Sequence, residues 1–81
     1  MEKFSDLEQQ VREIIAKQID IDISAVKKDS SISQLGGDSL VALQLLTVFE
    51  NRFNITIPDD DAVKIDSFKS AVDIIEKLLK K

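Results

Sequence analysis

Three stretches of this chain repeat apolar side chains at helical spacing, and two adjacent glycines and one proline are the only strong breakers among its 81 residues. So few breakers favour long helices over a turn-rich β fold. Ser5-Asp6-Leu7-Glu8 reads as a capping box, with Phe4, Leu7, Val11, Ile14, Ile15 and Ile19 recurring behind it. Gln10, Arg12, Glu13 and Lys17 fall on the other side, so a first helix is predicted over 5–18. A second is predicted over 39–53, where Ala42, Leu45, Leu46, Phe49 and Phe53 share one face. Leu40, Gln44, Thr47 and Asn51 lie opposite, with Leu43 and Val48 at the flanks. Pro58 ends any pairing after Ile55-Thr56-Ile57, and Asp59-Asp60-Asp61 suits the positive start of a short helix over 60–64. The last helix opens at Asp66 or Ser67 and carries Phe68, Ala71, Val72, Ile75, Leu78 and Leu79 on one face, closing on Lys80-Lys81.

Between the first two helices lie Asp20, Asp22, Asp29, Ser30, Ser31, Ser33, Gly36 and Gly37, all loop formers. Ile21, Ile23, Val26, Ile32 and Leu35 are spread among them as pegs for a core, with a helical turn predicted near 24–27. The expectation is all-α: a small four-helix bundle of three long helices and one short, with a long ordered loop, forming a single domain over 1–81.

Composition narrows the partners. With 11 basic and 15 acidic side chains the net charge is −4, which argues against nucleic acid as a partner. There is no cysteine, so neither a disulfide nor a thiolate metal site is available. No apolar run approaches the ~20 residues of a membrane span, so no membrane insertion is expected. Met1-Glu2-Lys3-Phe4 lacks the apolar segment of a secretory signal, which makes the cytoplasm the default. The opening methionine and the end just past the last helix suggest a discrete protein.

Chemistry concentrates in Leu35-Gly36-Gly37-Asp38-Ser39-Leu40, where a serine sits at the junction of a glycine turn and a helix. A serine nucleophile needs a base within hydrogen-bond reach, yet the chain has no histidine. A lysine base would need desolvation, and no lysine lies in an apolar run. The chain is also too short to build a sheet around a nucleophile turn, so self-contained hydrolysis fails. The plain alternative makes Asp38 an N-cap and Ser39 an ordinary first-turn residue. The acidic triplet lacks the glycine and distal glutamate of a calcium loop and reads as helix-start charge, so no metal site is expected.

The motif, followed by Phe49-Glu50, Phe53, Ile57-Pro58-Asp59 and Ala62-Val63-Lys64-Ile65, resembles the acyl carrier protein family over essentially the whole chain. That family includes carrier domains of polyketide and non-ribosomal peptide synthases. The resemblance implies a non-enzymatic carrier whose cofactor is 4′-phosphopantetheine, attached at Ser39 by a phosphopantetheinyl transferase that draws on coenzyme A. The arm's thiol then carries acyl groups as thioesters, so a chain without cysteine takes part in thioester chemistry. Asp38, Gly37 and Leu40 are implied at the cofactor site. Asp38 caps the helix, positions the serine and helps hold the transferase's metal ion; Gly36 and Gly37 permit the turn and keep the modifying enzyme's path clear. A phosphodiester in the first turn would gain about 0.3–1 kcal/mol from the helix dipole.

Docking is expected through Leu40, Leu43, Gln44 and Val48, with Asp59, Asp60 and Asp61 as an acidic flank. The partners implied are acyl-activating, synthase or acyltransferase enzymes, with the carrier acting as a monomer. The apolar stripes of Val11, Ile15, Leu45, Phe49, Phe53, Val72, Ile75 and Leu79 read as core, an interior that in the family parts to shelter an acyl chain. Carriers of bacterial fatty acid synthesis usually display a row of acids along the second helix. Here the only charges between Leu40 and Phe53 are Glu50 and Arg52, which cancel. Steering toward a basic groove should therefore be weak. With the double glycine, this looks more like carriers of polyketide or peptide pathways. Aminoacyl or peptidyl cargo stays open, as does an unmodified helical interaction module.

Overall fold

The computed structural model describes residues 3–80, except for the side chain of Ser39. Met1, Glu2 and Lys81 lie outside the described residues. Four α-helices follow one another as expected: α1 (Asp6–Ile19), α2 (Ser39–Phe53), α3 (Asp59–Ala62) and α4 (Phe68–Leu79). Each boundary has a local cause. The Ser5 hydroxyl accepts the Glu8 amide at 3.2 Å, while Glu8 Oε1 accepts the Ser5 amide at 2.8 Å. That backbone bond from Ser5 holds the Glu8 carboxyl below its ordinary pKa. At the other end Asp20 adopts φ 63°, and its amide closes on the Ala16 carbonyl.

Helix α4 begins at Phe68 because Ser67 is its cap, accepting the Ser70 amide at 3.1 Å. Helix α3 begins at Asp59, one residue earlier than expected, because Pro58 presets the entry with φ −62°. It also ends earlier, at Ala62, so Val63 and Lys64 lie in the turn beyond it.

The long loop is ordered by three devices. Asp22 Oδ1 accepts the Ser24 amide at 2.9 Å and starts a 3-10 turn over Ile23–Ala25, one residue ahead of the expected position. The same bond keeps the Asp22 carboxyl below its ordinary value. Further on, Ser31 bridges Ser67 in antiparallel fashion, with Ile32 N–H donating to Asp66 O and Phe68 N–H to Ser30 O. The third device is Arg12, which the helical wheel had placed toward solvent. It is half-buried, and donates from Nε to Val26 O at 2.8 Å and from Nη2 to Ile23 O at 2.9 Å.

Val11 and Ile15 of α1, Leu45 and Phe49 of α2, Phe68 and Ile75 of α4, and Val26 of the loop are fully buried together. The wheel of α4 needs correction at its end. Leu79 is exposed, because the bundle no longer covers the last residue of the helix, while Ile74 is buried in a wider apolar arc. Phe53 is only partly buried against the core.

Candidate functional site

The loop reaches α2 through a compact turn. Gly36 N–H donates to Ser33 O and Gly37 N–H to Ile32 O, at 3.1 and 2.9 Å. Gly36 has φ +97°, which a side chain rarely tolerates. Gly37 lacks a side chain for a different reason. A Cβ there would stand 2.5 Å from Ile32 Cγ2 and 3.1 Å from the Ile32 carbonyl. The constraint at Gly37 thus faces inward, toward the loop's own peg.

Asp38 is exposed and caps α2, its Oδ1 accepting the Val41 amide at 3.0 Å. Ser39 is the first residue of this helix. First-turn amides have no intrahelical acceptor, so the backbone around Ser39 presents the positive end of a 15-residue dipole. The Ser39 side chain lies outside the described residues.

From here the outward face of α2 is uncharged, with two large apolar side chains on it. Leu40 and Leu43 are 63% and 61% exposed, and Gln44 and Thr47 are exposed beside them. Val48 departs from the expected docking set. It is half-buried against the core and lines a cleft with Glu13, Ile14 and Lys17 of α1, because its flank position turns it inward. Asp61 departs as well. Asp59 and Asp60 are exposed, but Asp61 is buried at 8% exposure, accepting a 3.0 Å bond from Lys77 Nζ of α4. Successive helical residues are turned by about 100°, and the third aspartate is the one that faces the bundle.

Two grooves adjoin the motif. One, of about 310 Å³, touches Gly37, Asp38, Ser33 and Asp66. Through shared Ala42 and Ile65 it meets a second, of about 350 Å³, lined only by Ala42, Leu43, Leu46, Ala62, Val63 and Ile65. Val63 is 82% exposed on this apolar rim. It belongs to the Ala62-Val63-Lys64-Ile65 run, and sequence alone does not mark it for docking. Its signal was a branched apolar residue just past the end of a very short helix. The arrangement suits a phosphodiester-linked arm: a hydroxyl residue at a helix N-terminus, a groove of mixed polar and apolar lining beside it and an apolar one beyond. Among the described residues no cluster of acids could hold a metal ion, and no helix is long and apolar enough to cross a membrane.

Comparison with known proteins defines the class. The family model described as "Phosphopantetheine attachment site" matches residues 9–75, so this is a protein built to bear a phosphopantetheine arm. Acyl carrier proteins of two Porphyromonas gingivalis strains, ATCC 33277 and W83, are each 39% identical over 77 residues, spanning 94% of this chain and 99% of theirs. The chain belongs to the acyl carrier protein family, whose members are carriers and generally not catalysts.

Solved structures agree. The crystal structure of an acyl carrier protein from Thermotoga maritima is 27% identical, with a TM-score of 0.77 over 95% of this chain and 96% of that one. A hexanoyl carrier of the actinorhodin polyketide synthase from Streptomyces coelicolor is also 27% identical, with a TM-score of 0.72 over 96% of this chain and 91% of that one. The mupirocin didomain carrier shares the fold at 20% identity and a TM-score of 0.77, over 96% of this chain and 43% of that one.

Proposed function

We propose that Ser39 is the attachment residue and that residues 1–81 act as one monomeric carrier domain. The observation that carries this is its position as the first residue of α2, directly after the Gly36–Asp38 turn. There the serine oxygen attacks the phosphorus of coenzyme A that bears the pantetheine arm. A phosphodiester forms, and the bond to the nucleotide breaks. The serine proton passes to the transferase, and the leaving group is adenosine 3′,5′-bisphosphate. Asp38 holds the first turn in place through Val41, and the helix dipole favours the new anion. The bound arm supplies a thiol, which carries acyl intermediates as thioesters.

Leu40, Leu43 and Gln44 form the docking face for the transferase and for acyl-activating, synthase or acyltransferase enzymes, with Asp59 and Asp60 at its edge. The role asks no catalysis of this chain, consistent with its lack of histidine and cysteine.

Incubation with coenzyme A and a broad-specificity phosphopantetheinyl transferase, read by intact mass, tests the assignment. The wild-type protein gains one phosphopantetheinyl group and Ser39→Ala gains none. Gain by Ser39→Ala would move the site elsewhere, and no gain by the wild type would remove the reading.

A further inference from the structure

Helix α3 is a single turn carried between two buried isoleucines, Ile57 and Ile65. Its Ala62 and the following Val63 form one wall of the apolar groove, facing Ala42, Leu43 and Leu46 of α2. Asp59, Asp60 and Val63 are exposed, whereas Asp61 is almost fully buried. A carboxylate removed from water is costly unless a cation meets it. Lys77 of α4 does so at 3.0 Å, with 55% of its own side chain still in solvent. Without that cation the carboxylate would be buried and unpaired. The least costly relief is local: a one-turn helix swings out to rehydrate its acid, while α1, α2 and α4 stay folded.

We propose that Lys77 is a positioning residue: through Asp61 it clasps α3 to α4 and sets how far the groove between α2 and α3 opens to the apolar part of a cargo. The clasp stands on the geometry alone; its effect on cargo rests on Ser39 being the attachment residue.

Amide hydrogen exchange tests the clasp on the unloaded protein. The reporters are Ala62 N–H, bonded to Pro58 O, and Val63 N–H, bonded to Asp59 O. In Lys77→Met these exchange about tenfold faster or more, while Ile15 and Phe49 in the core keep their protection. Lys80→Met, which breaks the ion pair with Glu76 at the C-terminal end of α4, leaves α3 unchanged. Adding Asp61→Asn to Lys77→Met removes the stranded charge and returns α3 toward its original protection. Unchanged exchange at Ala62 and Val63, or loss in step with Ile15 and Phe49, overturns the clasp.

The cargo half is read on protein loaded with acetyl or octanoyl thioester and challenged with hydroxylamine. Lys77→Met speeds cleavage of the octanoyl form relative to wild type and leaves the acetyl form as it was. Equal rates for octanoyl on both proteins overturn the gating. Failure to load either protein refutes the Ser39 reading, and the exchange result still decides the clasp.

Discussion

Gly36 and Gly37 are neighbours in sequence with different physical needs, and substitution separates them. At Gly36 a Cβ would meet only Ile19 Cγ2 at an ordinary 3.9 Å, so the cost of Gly36→Ala is the φ of +97°. That strain is worth about 1–2 kcal/mol. At Gly37 the cost is collision with Ile32, so Gly37→Ala should lose roughly 1–3 kcal/mol by overpacking. Urea unfolding measures both. Combining Gly37→Ala with Ile32→Ala, which removes Cγ2, should cost less than the sum of the two single changes; Gly36→Ala with Ile32→Ala should be additive. Additivity in both pairs would remove the packing explanation for Gly37. The motif was legible in sequence because a glycine pair ahead of an Asp-capped helix is a local signal. The Ile32 contact was not, since it depends on how the loop folds back. Asp61 was hidden likewise: only the placement of Lys77 shows which of three aspartates faces the bundle.

Among the elements, the loop between α1 and α2 depends on one side chain more than its composition suggests. Arg12 fixes the carbonyls of Ile23 and Val26 with one guanidinium, braced by Gln9 Oε1 at 2.9 Å and lying 3.9 Å over the Phe4 ring. Arg12→Leu keeps an apolar stem but loses both carbonyl bonds, and should cost roughly 1.5–3 kcal/mol in urea unfolding. Exchange of the Val26 amide, bonded to Ile23 O, should accelerate more than that of Ile15 in α1. Arg12→Lys should recover little, because an ammonium cannot span two carbonyls as a planar fork does. Full recovery by lysine would reduce Arg12 to a point charge. The helices themselves were legible to within a residue or two at most ends, because Ser5, Asp38 and Ser67 are short-range caps. The staple was not, because a charged residue on an amphipathic helix reads as solvent-facing until the loop is folded across it.

For the molecule as a whole, the placement of charge matters more than its sum. The net charge is −4, yet no charged residue lies between Ser39 and Phe49, where the exposed face of α2 begins. Lys77 neutralises Asp61, so Asp59 and Asp60 are the acids of α3 left facing solvent, with exposed Lys64 close by in sequence. On the docking face proposed above, such a surface would recruit partners by apolar contact at Leu40 and Leu43, and its field would steer them little. The rate of transferase modification at limiting carrier should therefore change by less than about threefold between roughly 50 and 500 mM salt, although the screening length shrinks across that range from above about 10 Å to a few ångströms. Leu43→Ala should slow modification at every salt concentration, since the contact it removes is not screened. Gln44→Glu with Thr47→Glu should create the missing field: faster modification at low salt by a transferase with a basic groove, and a steep decline as salt rises. A wild-type rate that falls tenfold across that range would instead place recognition on Asp59 and Asp60, and Asp59→Asn with Asp60→Asn would then flatten the dependence.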